Sequence, residues 1–504
     1  MASVVISYRE DMIRIVPFLG KVIIGKIVDI GENSYIIAMS MLGEVVCNKA
    51  IVGVQQKYFV IINDHRKEED MLRTITVIGA NGTMGYNVAG IFASFGAAKV
   101  YMVCRSIDKA EKAVDKAAKS VKADSIKNNL IPVDYSMLEE CISKSELIFE
   151  SVAEDLTTKI NINIKIAKYA MNDAIICTGS SGLSIKRLAE ALPEALRENY
   201  LGVHFYNPPY NMTLCEIIPS EYTNEDILRR VQDYVTKTLY RTTVIVKDSP
   251  AFLGNRIGFQ FINEALQYAE KYKDKGGIDY IDTILGQFTG RSMAPLVTSD
   301  FVGLDVHKAI VDNIYINTND YARDTFIMPQ FTLELIKNGK LGRKTNSGLY
   351  KFEVLETGVK KALVYDISSG SYREKVKYNF LFAEDMITSF MIGDYTNAFD
   401  SLINNRSLEA ELCLEFLLKY VIYALNAAYL VGDGIHAADN VMATGFNWCP
   451  PLAVVQALSG TNNFLCLVNE RLDRKIITKI DMEQLIKSIE NSNYDYRKYF
   501  KAKR

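Results

Sequence analysis

The alternation of apolar and polar positions changes twice along the chain. Residues 1 to about 72 carry short β-rich runs ("VVIS", "KVIIGKIVDI", "YIIAMSM", "EVVCNKAIV", "YFVII") separated by the turn-like "GENS" and "MLGE" and closed by the charged "NDHRKEED". They read as a small β-rich appendage to which no chemistry is assigned. From Thr74 the strand-like "ITVIGA", "KVYMVCR", "NLIPVD", "ELIFESV", "AIICTGSS", "YLGVHFYNP" and "TTVIVKD" alternate with helix-like stretches. That alternation predicts an α/β unit with a parallel, doubly wound sheet. From about Ser249 the strand signals fade, and runs such as "NRIGFQFINEALQYAEKY" and "MPQFTLELIKNG" predict helices. The expected organisation is 1–72 β-rich, 73–248 α/β, and 249–352 and 353–504 helical.

The helical part contains a repeat. "FINEALQYAEKYKDKGGIDYIDTILGQFTGRSMAPL" aligns with "YALNAAYLVGDGIHAADNVMATGFNWCPPL", pairing Asn263 with Asn426, Asp282 with Asp439 and Pro295 with Pro451. Each copy reads as a helix, a glycine-containing turn, a second helix opened near an Asp and a proline-ended loop. Two related all-α domains are therefore expected after the sheet.

Composition narrows the function classes. A chain of 504 residues with 49% hydrophobic and 23% charged residues is an ordinary globular protein of several domains. Its formal charge of −2 gives no electrostatic reason to expect nucleic acid or an anionic membrane as partner. The start lacks a basic segment followed by an apolar stretch, and no apolar run reaches about 18 residues. The eight cysteines are scattered without a C-x-x-C pair. They read as reduced core thiols of a cytoplasmic protein, and no metal site is expected.

Two stretches carry candidate chemistry. "TITVIGANGTMGYNVAGIFASFG" runs from a strand through Gly79, Gly82 and Gly85 into a helix. Such a turn lets backbone N–H groups and the helix N-terminus approach a pyrophosphate. Its spacing is G-x-x-G-x-x-G, one residue longer than the usual dinucleotide turn. The turn itself is expected to hold either dinucleotide, and the end of the next strand to select between them. That end carries Cys104, Arg105 and Ser106 where NAD sites place an acidic residue. A guanidinium there suits a ribose 2′-phosphate, so the cofactor expected is NAD(P), with NADP favoured over NAD. A solvated surface arginine is the alternative. In "HFYNPPYNMTLCEII", His204 ends a strand and Glu216 lies on an extended return twelve residues later. The carboxylate would fix the imidazole as a general base, though a strand-end histidine is also commonly structural.

From Thr74 to Lys351 the sequence resembles the L-3-hydroxyacyl-CoA dehydrogenase family. The matching pieces, in family order, are "VIGANGTMG", "LIFESVAEDL", "SSGLSI", "HFYNPPYNMTLCE", "VKDSPAFLGNRIGFQFINEA" and "KLGRKTNSGLYKF". The second helical repeat, with "MATGFNWCPPLAV", resembles the extra dehydrogenase domain of multifunctional fatty-acid oxidation proteins. The resemblance implies a Rossmann-type sheet followed by two related helical domains, and hydride transfer between a nicotinamide and C3 of an acyl-CoA substrate. It implies His204 as catalytic base and Glu216 as its orienting carboxylate. Ser181, Asn207 and Asn255 would bind substrate, and Glu154, Lys159 and Lys344 would join Gly79, Gly82, Gly85 and Arg105 at the cofactor. The family's shorter members imply a homodimer through the helical domain, and its longer members imply the alternative that the duplicated domain takes the partner's place within one chain. The chain departs from the family in its longer glycine turn, in the missing acidic residue, and in a short stretch between Arg105 and Glu146 where the family has a CoA-binding helical excursion. A dehydrogenase of free 3-hydroxy acids and a catalytically silent nucleotide-binding scaffold are the alternative readings. Lysines 109, 112, 116 and 119 either replace the missing CoA contacts or form a solvated helix face.

Overall fold

The computed structural model describes residues 72–502, except 355–359 and 490, together with the backbone of five strands nearer the N-terminus. Those strands, β1 to β5 (Ile6–Arg9, Met12–Ile15, Ile23–Asp29, Ser34–Ser40 and Lys57–Asn63), pair antiparallel in sequential order. They belong to one compact unit, Met1–Met71, and the rest of the chain forms a second, Leu72–Arg504. The segments joining the five strands, with Cys47, lie outside the described residues.

In the second unit, β6 (Thr74–Ile78), β7 (Lys99–Cys104), β8 (Leu130–Asp134), β9 (Leu147–Glu150), β10 (Ile175–Thr178), β11 (Tyr200–Phe205), β12 (Leu214–Pro219) and β13 (Thr242–Ile245) form one sheet. Its order is β13-β12-β11-β10-β9-β6-β7-β8. Every neighbouring pair is parallel except β11 with β12. Helices cover both faces, so β9, β10 and β11 are buried along their whole length. Alternate residues enter the two cores: Ile78, Ile148 and Ile176 on one side, Val77, Phe149 and Cys177 on the other. Strand order reverses between β6 and β9, which opens a crevice at their C-terminal ends, where doubly wound sheets bind ligands.

The helical half is organised around the helix Gly254–Lys271 and the helix Leu408–Val431, which meet edge-to-face through Phe261 and Phe416, ring centroids 5.3 Å apart. By length and composition Leu408–Val431 is apolar enough to cross a membrane, although Glu415 and Lys419 break it into shorter apolar runs. It is a core helix, with 72% of its most apolar window buried inside the protein. The two aspartates paired in the expected repeat make similar contacts. Asp282 accepts the N–H groups of Leu296 (2.8 Å) and Val297 (3.1 Å) just after Pro295, and Asp439 accepts that of Leu452 (2.8 Å) just after Pro451. Each Asp thus holds the first turn of the helix after the proline loop of its own copy. The copies also interlock, with Arg291 of one bridging Trp448 of the other.

One stretch differs from expectation. The second helical segment opens on a three-stranded antiparallel sheet, β14 (Tyr350–Val354), β15 (Lys360–Asp366) and β16 (Ser371–Glu374). The 352/353 boundary therefore falls inside a strand. "KKALVYD" and "SYRE" are too short for their alternation to register against the helical runs on either side. Six thiols (Cys104, Cys141, Cys177, Cys215, Cys413, Cys449) are buried and Cys466 is exposed, all unbridged.

Candidate active site

The crevice at the strand ends begins with the glycine turn. Gly79 follows β6 with φ +83°, and a Cβ there would lie 2.5 Å from the Ser151 carbonyl oxygen, so both backbone conformation and space require glycine. A Cβ on Gly85 would lie 2.4 Å from the Gly79 carbonyl oxygen, so the following helix, Thr83–Ser94, packs directly on the turn. Gly82 is different. Its Cβ would meet nothing closer than 3.4 Å inside the protein, an ordinary contact. It borders an open cleft of about 530 Å³ and caps the helix with no side-chain hydrogen bond. A side chain at Gly82 would fill the space over the helix N–H groups, which is the room a pyrophosphate needs. The cleft is also bordered by Gly79, Arg105, Tyr135, Ser151 and Lys165. Arg105 is exposed and makes no hydrogen bond or ion pair among the described residues.

Glu154 and Lys159 stand next in sequence to Ala153 and Thr158, which border the cleft, but do not border it themselves. Glu154 Oε1 accepts the Ser180 hydroxyl (2.6 Å) and the Ser181 N–H (2.7 Å). Lys159 is fully buried, its ammonium 3.0 Å from both oxygens of Glu150 and 3.5 Å from Glu154. It points inward and does not line the cleft, so the expected direct cofactor contact becomes an indirect one. Glu150 also accepts the Val152 N–H (2.6 Å) and the Thr178 hydroxyl (2.7 Å), which fixes the cleft-lining loop after β9. Lys344 is placed elsewhere: it pairs with Asp305 within the helical half and is not part of the cleft wall. A lysine in a glycine-rich turn gives no sign in the sequence of an acidic partner 39 residues upstream.

The second constellation is built by the antiparallel pair β11–β12, whose register sets His204 directly opposite Glu216. His204 Nδ1 lies 2.9 Å from Glu216 Oε2. The same oxygen accepts the Tyr206 hydroxyl at 2.9 Å, while Oε1 accepts the N–H groups of Leu253 (3.0 Å) and Gly254 (2.9 Å) at the start of the helix Gly254–Lys271. Glu216 is completely buried, and these four donors, two of them at a helix N-terminus, suit a carboxylate. The donors are aimed by Ala251 (φ 61°) and Phe252 (φ 54°), two consecutive left-handed non-glycine residues, a conformation that costs about 1–3 kcal/mol each. With Nδ1 donating to a carboxylate, the neutral ring keeps its lone pair on Nε2, which has no protein partner among the described residues. Burial and the charge of Glu216 hold the Tyr206 phenol well above its ordinary range, so it remains a donor.

The expected substrate-side residues gather around this pair. Asn255 Nδ2 lies 3.5 Å from the Ser181 carbonyl oxygen, joining the helical half to the turn after β10. Asn207 Oδ1 lies 3.5 Å from Asn87 Nδ2 on the glycine-turn helix. His204, Glu216, Ser181, Asn207, Asn255 and Glu154 thus share one end of the sheet, and Gly79, Gly82 and Arg105 border the adjoining cleft. Sequence reasoning missed Tyr206, Glu150 and the Leu253 and Gly254 N–H groups. Only Tyr206 left a signal, two residues beyond His204 and so on the same face of the strand.

Comparison with known proteins agrees with this arrangement. The profile for the 3-hydroxyacyl-CoA dehydrogenase NAD binding domain matches residues 74–249, and that for the 3-hydroxyacyl-CoA dehydrogenase C-terminal domain matches 252–352. The chain is 26% identical over 397 residues, 75% of its length, to a Rickettsia felis protein named after a fatty acid oxidation complex trifunctional enzyme. It is 27% identical over 297 residues to the mitochondrial hydroxyacyl-coenzyme A dehydrogenase of Sus scrofa, covering 56% of this chain and 92% of that one. The crystal structure of 3-hydroxybutyryl-CoA dehydrogenase from Escherichia coli K12 superposes with a TM-score of 0.60 at 18% identity, over 82% of this chain and 99% of the other, and shows the shared fold. The chain spans 52% of the length of the Rickettsia relative.

Proposed function

The chain belongs to the 3-hydroxyacyl-CoA dehydrogenase family, and from that premise we propose that it interconverts a 3-hydroxyacyl and a 3-oxoacyl substrate, presented as a CoA thioester, with a nicotinamide dinucleotide. The observation that carries this reading is the buried His204–Glu216 pair at the strand ends beside the glycine-lined cleft. A nicotinamide held there would take up or supply the hydride at the substrate's C3. His204 Nε2 accepts the 3-hydroxyl proton on oxidation and returns it on reduction. Glu216 holds the imidazole in the right tautomer and stabilises the imidazolium, while Tyr206 and the two backbone N–H groups hold the carboxylate in place. Ser181, Asn207 and Asn255 position the substrate, and Glu154 and Lys159 hold the surrounding loops. At the other end of the cleft, the free guanidinium of Arg105 favours NADP over NAD.

The test is reduction of acetoacetyl-CoA followed at the nicotinamide absorbance with NADPH and with NADH, in the wild type and in His204→Gln. Turnover that falls by roughly 10²–10⁴-fold in the variant, with dinucleotide binding retained, is expected. Near-normal turnover would remove His204 as the base. Turnover on free 3-oxo acids but not on thioesters would favour the free-acid dehydrogenase, and dinucleotide binding without any turnover the silent scaffold.

A further inference from the structure

The glycine turn and the helix Ile107–Val121 enclose a second pocket that the dehydrogenase reading leaves unused. It has a volume of about 150 Å³ and is bordered by Asn81, Lys109, Lys112, Ala113 and Lys116. Asn81 is the shared wall, because it also borders the main cleft. It lies within the lengthened part of the turn, and without it the spacing would be G-x-G-x-x-G. It shares the lining of the main cleft with Cys104 and Arg105 at the end of β7, and it shares the second pocket with Lys109. Asn81, Arg105 and Lys109 therefore converge on one strand end from the turn, from the strand itself and from the following helix.

The charges there are unbalanced. The three lysines occupy positions i, i+3 and i+7 and share one helix face. Lys112 pairs with Asp108 at 2.9 Å, with both side chains mostly exposed, and Lys116 lies over the Tyr86 ring at 5.7 Å. Arg105 and Lys109 have no anionic partner among the described residues, and the Asn81 side chain makes no hydrogen bond there. Lys109 sits in the first turn of its helix, the end where the backbone dipole disfavours a cation. A dianion in this pocket would relieve both the mutual repulsion and the dipole conflict.

We propose that Asn81, Lys109 and Lys112, together with Arg105, form a subsite for a phosphate monoester carried on an adenosine ribose, and that the extra residue of the glycine turn is what opens it. The position of Asn81 on the dinucleotide cleft makes the 2′-phosphate of NADP the preferred source, and the 3′-phosphate of a CoA thioester is the other source of the same chemistry. The turn then takes part in cofactor selection, contrary to the expectation that the strand end alone decides. This proposal rests on the dinucleotide cleft of the function proposed above.

The test is equilibrium binding to the full-length chain, read by fluorescence or calorimetry without turnover. The ligands are NADPH, NADH, acetoacetyl-CoA and 3′-dephospho-acetoacetyl-CoA. The proteins are the wild type, Lys109→Ala, Lys109→Arg, and a deletion of Asn81. The wild type is expected to bind NADPH roughly tenfold or more tightly than NADH, with that ratio falling by about tenfold in Lys109→Ala and recovering in Lys109→Arg. Deleting Asn81 is expected to collapse the ratio as well, with folding checked by circular dichroism. An unchanged ratio in every variant would overturn the subsite and leave the lysines as a solvated face. Loss of discrimination between acetoacetyl-CoA and its dephospho analogue, with the NADPH ratio unmoved, would overturn the NADP assignment in favour of CoA. If neither dinucleotide bound at all, the fault would lie with the dehydrogenase reading itself.

Discussion

Replacing Gly254 by alanine tests how the site holds its buried carboxylate. A Cβ at this position would sit 2.3 Å from the Tyr206 hydroxyl oxygen and 3.1 Å from the ring carbon that bears it. Tyr206 cannot simply swing away. Its hydroxyl is bonded to Glu216, and its ring lies 4.7 Å from His204 and 5.8 Å from Phe446. Relief must come from losing the tyrosine bond to the carboxylate or from shifting the helix start, which carries the Leu253 and Gly254 donors. A hydrogen bond to a charged group contributes about 1.5–3 kcal/mol. Forced overpacking costs about 1–3 kcal/mol. The expected loss of stability for Gly254→Ala is therefore about 2–5 kcal/mol, against an intrinsic gain of up to about 1 kcal/mol from alanine's helix propensity.

The double variant isolates the cause. In Tyr206→Phe the hydroxyl is gone and the remaining contact is the looser one at the ring carbon. Adding Gly254→Ala to Tyr206→Phe is then expected to cost less than about 1 kcal/mol, giving a coupling energy of about 1–5 kcal/mol. Urea denaturation of the four proteins measures it, and turnover of acetoacetyl-CoA in parallel reports whether the dyad is displaced. Additive losses would refute the argument, because they would mean that the glycine serves something other than the close approach of the phenol.

Two further outcomes follow from buried charge. Lys159→Met leaves Glu150 uncompensated in the core and is expected to lower stability by about 3–5 kcal/mol, while Lys159→Met with Glu150→Gln recovers much of that in chemical denaturation; equal losses in the single and double variants would show that the ion pair is not the source. Burial lowers the His307 imidazole to about 3, so between pH 6.5 and 3 the unfolded chain takes up a proton that the folded chain refuses, and the stabilising contribution present near neutrality is lost on acidification. Burial raises Asp282 and Asp439 to about 6 and Asp300 to about 7, so those groups favour the folded state at low pH and lose that contribution as pH rises through these values, opposite in sign to His307. The informative quantity is thus the difference between wild type and His307→Gln, which is expected to grow in the variant's favour on acidification by up to about 1.4 kcal/mol per pH unit; parallel pH curves would refute it.

The parts legible in the sequence are those whose physics is local. A strand that breaks into glycines and resumes as a helix shows itself through spacing, and the return from His204 to Glu216 through a proline-rich turn needs only period two and a hairpin. The Asp282 and Asp439 pairing showed because each Asp precedes its proline loop by a similar interval. What stayed hidden depends on distant partners. Lys159 looks like a cofactor lysine until Glu150, nine residues earlier on another element, is seen to hold it inside. Lys344 is answered by Asp305 in the same way. The N–H groups of Leu253 and Gly254 carry no side-chain signature, and the left-handed turn that aims them falls on Ala251 and Phe252, residues that sequence rules do not expect there.

The second helical copy acquires a local role from the same contacts. Its Met442–Phe446 turn presses on the first copy and on the sheet. A Cβ on Gly258 would lie 2.3 Å from the Phe446 ring, and one on Gly445 would lie 2.5 Å from Leu214 and 3.3 Å from the Tyr206 ring. Val441, just before that turn, stands 3.5 Å from where a Gly254 Cβ would be. Three glycines on two copies of one motif thus permit a single close approach, and that approach forms the back wall of the tyrosine that bonds Glu216. Further out, Arg291 of the first copy stacks its guanidinium 3.8 Å from the Phe261 ring centre and 4.9 Å from that of Trp448 in the second. The second helical segment is therefore more than added length. The environment of the proposed base depends on both copies, because the carboxylate that orients His204 is itself held by a phenol packed between the sheet, the first copy's helix start and the second copy's turn.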